Sequence, residues 1–118
     1  MSYTDAFANS QIDAFTAQIA AVGLAVGAVE VTAAGYARVT GTTWGSATSR
    51  SASTTSDVSF TVTEDAGTPD NHVFYNSGGT VIGYSPIAVP VALNNDTLLS
   101  VAGEITIGLP NTDGTPAS

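Results

Sequence analysis

The chain has 118 residues, 43% of them hydrophobic, which suits one compact domain with a single core. Two basic residues against ten acidic ones give a net charge of −8, and this argues against nucleic acid and anionic membranes as partners, since both bind through Lys and Arg. Because the sequence has no Cys, disulfides, thiolate metal sites and a cysteine nucleophile are excluded.

An apolar stripe near the N-terminus predicts one short helix over residues 11–21. The stripe consists of Ile12, Phe15, Ile19 and Val22, at spacings of three and four. Ser10 precedes it as the capping residue, and Gly23 follows as the stop. Residues 1–9 are then an N-terminal arm. We expect this helix to pack on a sheet, with a partner-binding helix as the alternative.

After the helix, short β-branched and aromatic runs alternate with Gly, Pro and Asn-Asp turn signals. The predicted strands are 24–32, 36–43, 57–63, 72–76, 80–84, 87–93, 97–101 and 104–109. Val58, Phe60 and Val62 alternate with polar residues, and this pattern indicates a half-buried strand. Ile105, Ile107 and Leu109 alternate in the same way.

The run from Asn76 to Gly79 contains residues that tolerate positive φ, and it predicts a hairpin. Regularly spaced short strands with such turns favour an all-β domain. The sequence therefore predicts a mainly β fold over residues 10–109, a single antiparallel β-sandwich of jelly-roll type with one short N-terminal α-helix.

Two segments lack large apolar side chains that would anchor them. Residues 46–56 are rich in Ser, Thr and Ala, and they predict a long loop or a polar edge strand. Residues 110–118 predict a flexible C-terminal tail. The start of the chain has no basic segment of a secretory signal, and no apolar run reaches bilayer length, so we expect synthesis in a cytoplasm and no membrane contact.

The motifs of common enzymes are missing from the sequence. His72 is the only imidazole, and it stands in a strand-like run, where we expect a structural histidine and not a catalytic one. The sequence has no Gly-x-Ser-x-Gly elbow and no phosphate-binding glycine motif. We predict no catalytic residue and no cofactor.

The acidic segment 64–71 is the best local candidate for a calcium site, because it combines carboxylates with Asn and Thr oxygens. Its spacing does not follow the alternating ligand pattern of an EF-hand. Gly, Pro, Asp and Asn are also the residues of an ordinary turn. The turn is the preferred interpretation, and no metal is predicted.

Three residues stand out as candidates for an interface or a structural motif. Tyr36 and Arg38 share one face at a spacing of two, so Arg38 either stacks on Tyr36 or reaches a carboxylate. The pair serves inside the fold or at an intersubunit contact. Trp44, between a β-rich run and a polar loop, is interpreted as a core anchor, with a sugar-stacking platform as the alternative.

The order of several motifs resembles a family of small bacteriophage virion proteins from tailed phages of actinobacteria, often described as minor tail or tail-fibre proteins. The matching segments are Gly35-Tyr36-Ala37-Arg38, Thr43-Trp44, residues 46–56, Val58-Ser59-Phe60, residues 77–84, 95–98 and 103–107. The chain departs from the family's pattern at residues 22–28. The resemblance covers about residues 10–109.

The resemblance implies a non-enzymatic virion component, made in the host cytoplasm and located on the tail, on a fibre or on the capsid as a decoration. Its implied partners are further copies of itself, with a trimer as the first expectation, and a larger phage capsid or tail protein. Exposed apolar runs at residues 24–29 and 87–91 also favour self-association.

Two other functions compete with this interpretation. A carbohydrate-binding β-sandwich module is the alternative, with Trp44, Tyr75 or Tyr84 as stacking rings. Such a module leaves two rings on one open face. A small hydrolase ranks third.

Overall fold

The computed structural model describes residues 4–108, and the predicted tail at 110–118 lies outside this range. Within it, one helix and nine short strands confirm a mainly β domain with a short N-terminal helix. In chain order they are α1 (Asp5–Gln18), β1 (Ala21–Val26), β2 (Val29–Glu30), β3 (Val39–Thr40), β4 (Ser51–Ser53), β5 (Val58–Thr61), β6 (Asn71–Tyr75), β7 (Val81–Pro86), β8 (Thr97–Ser100) and β9 (Thr106–Gly108). No helix in this part of the chain is long and apolar enough to cross a membrane.

Strand β1 organises the larger sheet. It pairs antiparallel with β6 over five residues, from Ala21 opposite Tyr75 to Ala25 opposite Asn71, and β6 pairs onward with β7. On its other edge, β2 pairs with the end of β1 and β3 with its beginning. Residues 22–25 of β1 are buried without alternation, so this strand is covered on both faces.

The hairpin predicted around Asn76 is confirmed as the connection between β6 and β7. The Asn76 side-chain oxygen Oδ1 accepts hydrogen bonds from the backbone N–H groups of Gly78 and Thr80, each at 3.0 Å. Gly79 adopts a φ of +79°, a conformation that glycine takes at little cost. The turn residues therefore set the register of this hairpin.

Two further strand pairs, β5–β8 and β4–β9, lie outside the larger sheet. In β5, Val58 and Phe60 are buried and the residues that follow them are exposed, as the alternation predicts. Phe60 lies opposite Leu98 of β8, and both belong to the buried cluster that contains Val22 and Phe74 of the larger sheet. The core thus lies between β5–β8 and the larger sheet. The domain is sandwich-like, and the jelly-roll order stays a prediction.

Helix α1 starts earlier than the predicted range of 11–21. Thr4 is the N-cap, and its side chain accepts a 3.2 Å hydrogen bond from a backbone N–H of the first turn. Ser10, the predicted cap, lies inside the helix and donates to the Phe7 carbonyl. Asp5 stands in the first turn, where a negative charge stabilises the helix dipole. Residues 5–9 therefore belong to the helix and not to an arm.

The helix also ends earlier than predicted, at Gln18. The backbone N–H of Ala20 donates to the Tyr75 carbonyl at 2.7 Å, and this bond joins the chain to the sheet. Gly23 is consequently a buried residue of β1 and not a helix stop. Backbone hydrogen bonds to β6 outweigh the helical periodicity after Gln18, so the chain continues as a strand.

Three predicted strands differ from the observed ones. The range 24–32 is divided between β1 and β2 by a turn at Gly27, whose φ is +63°. Of the range 36–43, only β3 is a strand. Residues 87–93 form no strand but connect β7 to the segment before β8, and Pro90 within them lacks the N–H that a ladder needs.

The Ser/Thr-rich segment 46–56 is held by the helix. The Ala47 N–H donates to the Asp13 side chain and the Arg50 N–H to the Asn9 side chain, both at 2.8 Å. Strand β4 within this segment pairs with β9. Residues 51–53 form the predicted polar strand, and the remainder of the segment is loop, so each of the two predicted alternatives holds for a part of it.

The cap assignment gives a direct test. We expect Thr4→Ala to lower the free energy of unfolding by about 1 kcal/mol, because it removes the acceptor for a first-turn N–H. Ser10→Ala is the matched control, and its effect should be much smaller. Chemical denaturation of both variants measures the difference; a larger loss for Ser10→Ala contradicts the assigned helix start.

Candidate functional site

Tyr36 occupies a gap in the edge of β1. Strands β2 and β3 pair with the two ends of that edge. The Val31 N–H still donates to the Leu24 carbonyl at 3.0 Å, and the chain then leaves the sheet as a loop up to residue 38. Tyr36 returns from this loop, and its hydroxyl accepts a 3.0 Å hydrogen bond from the Leu24 N–H. The phenol oxygen takes the place of a strand carbonyl. A Cβ at Gly23 would meet this oxygen, so glycine is needed there.

Glu30 joins Tyr36 and Arg38. Its Oε2 accepts from the Tyr36 hydroxyl at 2.7 Å, while the Arg38 guanidinium donates to both carboxylate oxygens, at 2.9 and 2.8 Å. Of the alternatives for Arg38, the carboxylate contact is therefore the one observed. Arg38 stacks on Tyr75 instead of Tyr36, with its guanidinium carbon 3.6 Å from the ring centroid. Tyr36 itself stacks on Phe60.

The cluster of Glu30, Tyr36, Arg38 and Tyr75 has fixed charges at neutral pH. Hydrogen bonds from Arg38 lower the pKa of Glu30 to about 2, against the opposing effect of burial. Burial, and then the neighbouring carboxylate, raise the pKa of Tyr75 to about 12 and the pKa of Tyr36 well above its usual value. None of these groups exchanges a proton near pH 7. The arrangement clamps the 31–38 loop to β1 and β6.

Trp44 lies at the edge of the core. Its ring meets Phe74 edge-on, with centroids 5.7 Å apart and planes at 78°. The side chain is half-buried and packs on the main buried cluster, which fits the core interpretation. A shallow hollow of about 270 Å³ lies beside it, lined also by Asp13 and Thr16 of α1.

The three rings proposed for sugar stacking do not share an exposed face. Tyr75 is buried under Arg38, Trp44 is half-buried against Phe74, and Tyr84 is exposed. Stacking platforms require rings that stand open to the ligand. A carbohydrate site at these positions would thus rely on Tyr84 or on the hollow beside Trp44, and not on two rings of one face.

His72 lies in β6 and contacts Ser100, a residue that the sequence analysis did not single out. Its Nε2 is 2.9 Å from the Ser100 Oγ of β8, and both residues are buried between the sheets. Burial lowers the pKa of His72 to about 4, so the imidazole is neutral at pH 7. Its Nδ1 has no hydrogen-bond partner among the described residues. The orienting acid of a hydrolytic triad is therefore not in place at residues 4–108.

The His72–Ser100 pair borders a groove of about 360 Å³. All four residues of β8 line it. Neighbouring residues of a strand point to opposite faces, so a groove that all four line must follow the edge of the strand. The other lining residues are mostly aliphatic and include one carboxylate: Pro86, Ile87, Ala88, Val89, Val91, Glu104 and Thr106. We call this feature the β8 groove.

In the acidic segment 64–71, three carboxylates accept hydrogen bonds from backbone N–H groups. Glu64 accepts from the Ala34 N–H, Asp65 from the Gly67 N–H, and Asp70 from the N–H of a residue in the β1–β2 turn. In the described part of the chain, no three His, Cys, Asp or Glu side chains are grouped to hold a metal ion. The Asp65 bond closes a turn within the segment, while the other two bonds fasten the segment to the loop after β2 and to the β1–β2 turn.

Comparisons with protein-family models, curated proteins and solved structures give no match. The relation to phage virion proteins thus stays a prediction from the order of the motifs. Tyr36, Arg38 and Trp44 all make contacts within the fold, and the described structure joins the first two but not the third.

The Glu30–Arg38 pair predicts a pH-dependent stability. A lowered pKa means that the folded state gains stability above pH 4.5 and loses it as the pH falls toward 2. Since Arg38 is partly exposed, we expect Glu30→Gln to cost only about 1–2 kcal/mol at pH 7. Its unfolding free energy should also fall less than that of the parent between these pH values.

Glu64→Gln is the control for this variant, because Glu64 is also a carboxylate with a hydrogen bond but its partner is the Ala34 N–H and not Arg38. It should keep the parent's acid sensitivity. Urea denaturation from pH 2 to pH 7 makes the comparison; equal pH profiles for Glu30→Gln and the parent would contradict the clamp.

Trp44→Ala should lower the free energy of unfolding by about 3 kcal/mol. This is the lower end of the usual loss when a large core aromatic is removed, because the Trp44 ring is only half-buried. Tyr84→Ala removes an exposed ring and should change stability by less than about 0.5 kcal/mol. Thermal melts and a glycan-binding assay on both variants decide between the two interpretations of Trp44. Unchanged stability with loss of glycan binding would favour the carbohydrate-binding module.

Proposed function

We propose that this chain is a non-enzymatic structural component of a tailed-bacteriophage virion. In this proposal it is an accessory β-sandwich protein on the particle's exterior, associated with the tail, a fibre or the capsid surface. It oligomerises and docks on a larger phage scaffold. One observation carries the proposal: the basic side chains are engaged inside the fold, while aliphatic side chains face outward.

The engaged side chains support a passive role. The sequence has two basic residues, Arg38 and Arg50. Arg38 pairs with Glu30 at 2.8 Å, and Arg50, itself buried, pairs with Asp5 of the helix at 2.6 Å. Both cations thus stabilise loops of their own domain. Phosphate recognition uses such groups at a surface, so this arrangement favours contacts other than nucleic acid.

The aliphatic surface supports contact with other proteins. Among residues 4–108, seven large exposed side chains are valine or leucine: Val26, Val29, Val81, Val89, Val91, Leu99 and Val101. Val89, Val91 and Leu99 line one groove, and exposed apolar groups that lie together typically mark protein interfaces. A subunit of a particle covers such groups with its neighbours, which fits the proposed docking and oligomerisation.

The net charge of −8 supports an exterior position. Packaged DNA repels a strongly acidic surface within a Debye length of about 8–10 Å. The two arginines, held in ion pairs, do little to offset that repulsion. An outer position on the head or tail avoids this cost.

Purified particles of the phage that encodes the chain test the proposal. We expect quantitative mass spectrometry to find many copies per virion, in a number that is a multiple of three, five or six. Antibodies raised against the folded protein should label intact particles. Absence from purified virions, with recovery only as a soluble monomer in infected-cell lysate, would overturn the proposal.

A further inference from the structure

His72 is a buried imidazole at the junction of the two layers. The residue is 3% exposed, and within its own sheet it lies opposite Leu24 of β1 and Ser85 of β7. From the other layer, the Ser100 hydroxyl of β8 lies 2.9 Å from Nε2, and the Phe60 ring of β5 has its centroid 6.3 Å from that of the imidazole. The ring therefore lies where the larger sheet and the β5–β8 pair meet.

The hydrogen bonding of this ring suits its neutral form alone. Nδ1 is buried without a hydrogen-bond partner among the described residues. Protonation makes both ring nitrogens donors, and the Ser100 hydroxyl can accept from Nε2 only. A protonated His72 would thus bury a charged N–H with no acceptor, which is strongly unfavourable. Burial lowers the pKa of His72 from its ordinary 6.5 to about 4.

The strands around His72 supply no charge that would stabilise an imidazolium. Strands β1, β5, β6, β7 and β8 contain no Asp, Glu, Lys or Arg. Tyr75 packs with Val73 and Tyr84 pairs with it, so both tyrosines lie on the sheet face opposite to His72. The carboxylates that border β5, β8 and the β8 groove each accept a 2.8 Å hydrogen bond from a backbone N–H: Asp57, Asp96 and Glu104.

The junction has a weaker side at β8. Among the described strands, β8 pairs with β5 alone, over four residues, whereas β6 lies between β1 and β7. The β8 groove already borders the His72–Ser100 pair. A displacement of β8 from β6 lets water reach both ring nitrogens and solvate the charged ring. The displaced form therefore binds a proton more tightly than the closed form, and acid favours it.

We propose that His72 is an acid-sensitive switch at the contact between β6 and β8. Mild acid protonates the imidazole and favours a form in which β8 has moved away from the larger sheet, and neutral pH restores the contact with Ser100. Because the folded pKa is depressed, this contribution to stability is present above about pH 6.5 and is lost as the pH falls toward 4. The inference goes beyond the virion role and does not depend on it.

His72 is the only histidine of the sequence, so its titration can be isolated. His72→Gln keeps an amide donor for Ser100 but does not titrate, and His72→Phe is a second variant that does not titrate. Urea denaturation measures the unfolding equilibrium constant at pH 7 and at pH 5. Over this range the constant of the parent should rise about twentyfold more than that of either variant, given the folded pKa of about 4 and an unfolded pKa of 6.5.

Ser100→Ala is the matched control for the urea experiment. It removes the hydroxyl partner but keeps the titrating ring, so it should be less stable than the parent and retain the parent's pH dependence. Loss of the pH dependence in Ser100→Ala, or equal pH dependence in the parent and His72→Gln, would overturn the inference.

Hydrogen exchange locates the opening. Between pH 7 and pH 5.5, after correction for the intrinsic exchange rate, the opening equilibrium constant of the β8 amides should rise about eightfold in the parent. It should stay constant in His72→Gln. The amides of β1 should change less, because β1 lies inside the larger sheet. An equal rise in β1 and β8, or no rise in β8, would overturn the inference.

Discussion

The burial of β1 on both faces is the constraint on which the other parts of the domain depend. One face of this strand contributes Val22 and Leu24 to the core between the sheets. The other lies under Tyr75, with Tyr36 and Glu30 close above Gly23. Because β1 also needs partners on both edges, β6 pairs along one edge, and two short strands with a tyrosine hydroxyl complete the other.

Polar groups inside this domain fasten segments that have little else to hold them. The Arg38–Glu30 pair fixes the loop between β2 and β3. Arg50, with Asp5 and Asn9, fixes the Ser/Thr-rich segment to the helix. The His72–Ser100 contact joins the two layers. Short strands form few backbone hydrogen bonds with their neighbours. Ion pairs and side-chain hydrogen bonds therefore hold more of the loops in place than they do in a domain with longer strands.

The low content of charged residues also affects the outer surface. With charged residues at 10% of the sequence and both cations paired internally, much of the exterior is neutral. Exposed aliphatic side chains are unfavourable in water and favourable at a contact. This balance links the composition of the chain to the proposed role as a subunit that acts by assembly.

Local sequence signals determined the parts of the fold that depend on near neighbours. The alternation in β5 identified its buried side, and the Asn76–Gly79 turn identified the β6–β7 hairpin, because side-chain period and turn geometry are local properties. The spacing of Tyr36 and Arg38 left two contacts open for Arg38, stacking on Tyr36 or a carboxylate, and the structure shows the carboxylate contact.

Tertiary structure decided the rest. It selected Glu30 and Tyr75 as the partners of Arg38, set Ser100 against His72 from another strand, and ended the helix at Gln18. Each of these outcomes depends on pairing between segments distant in sequence, and no local pattern encodes which distant segment arrives there.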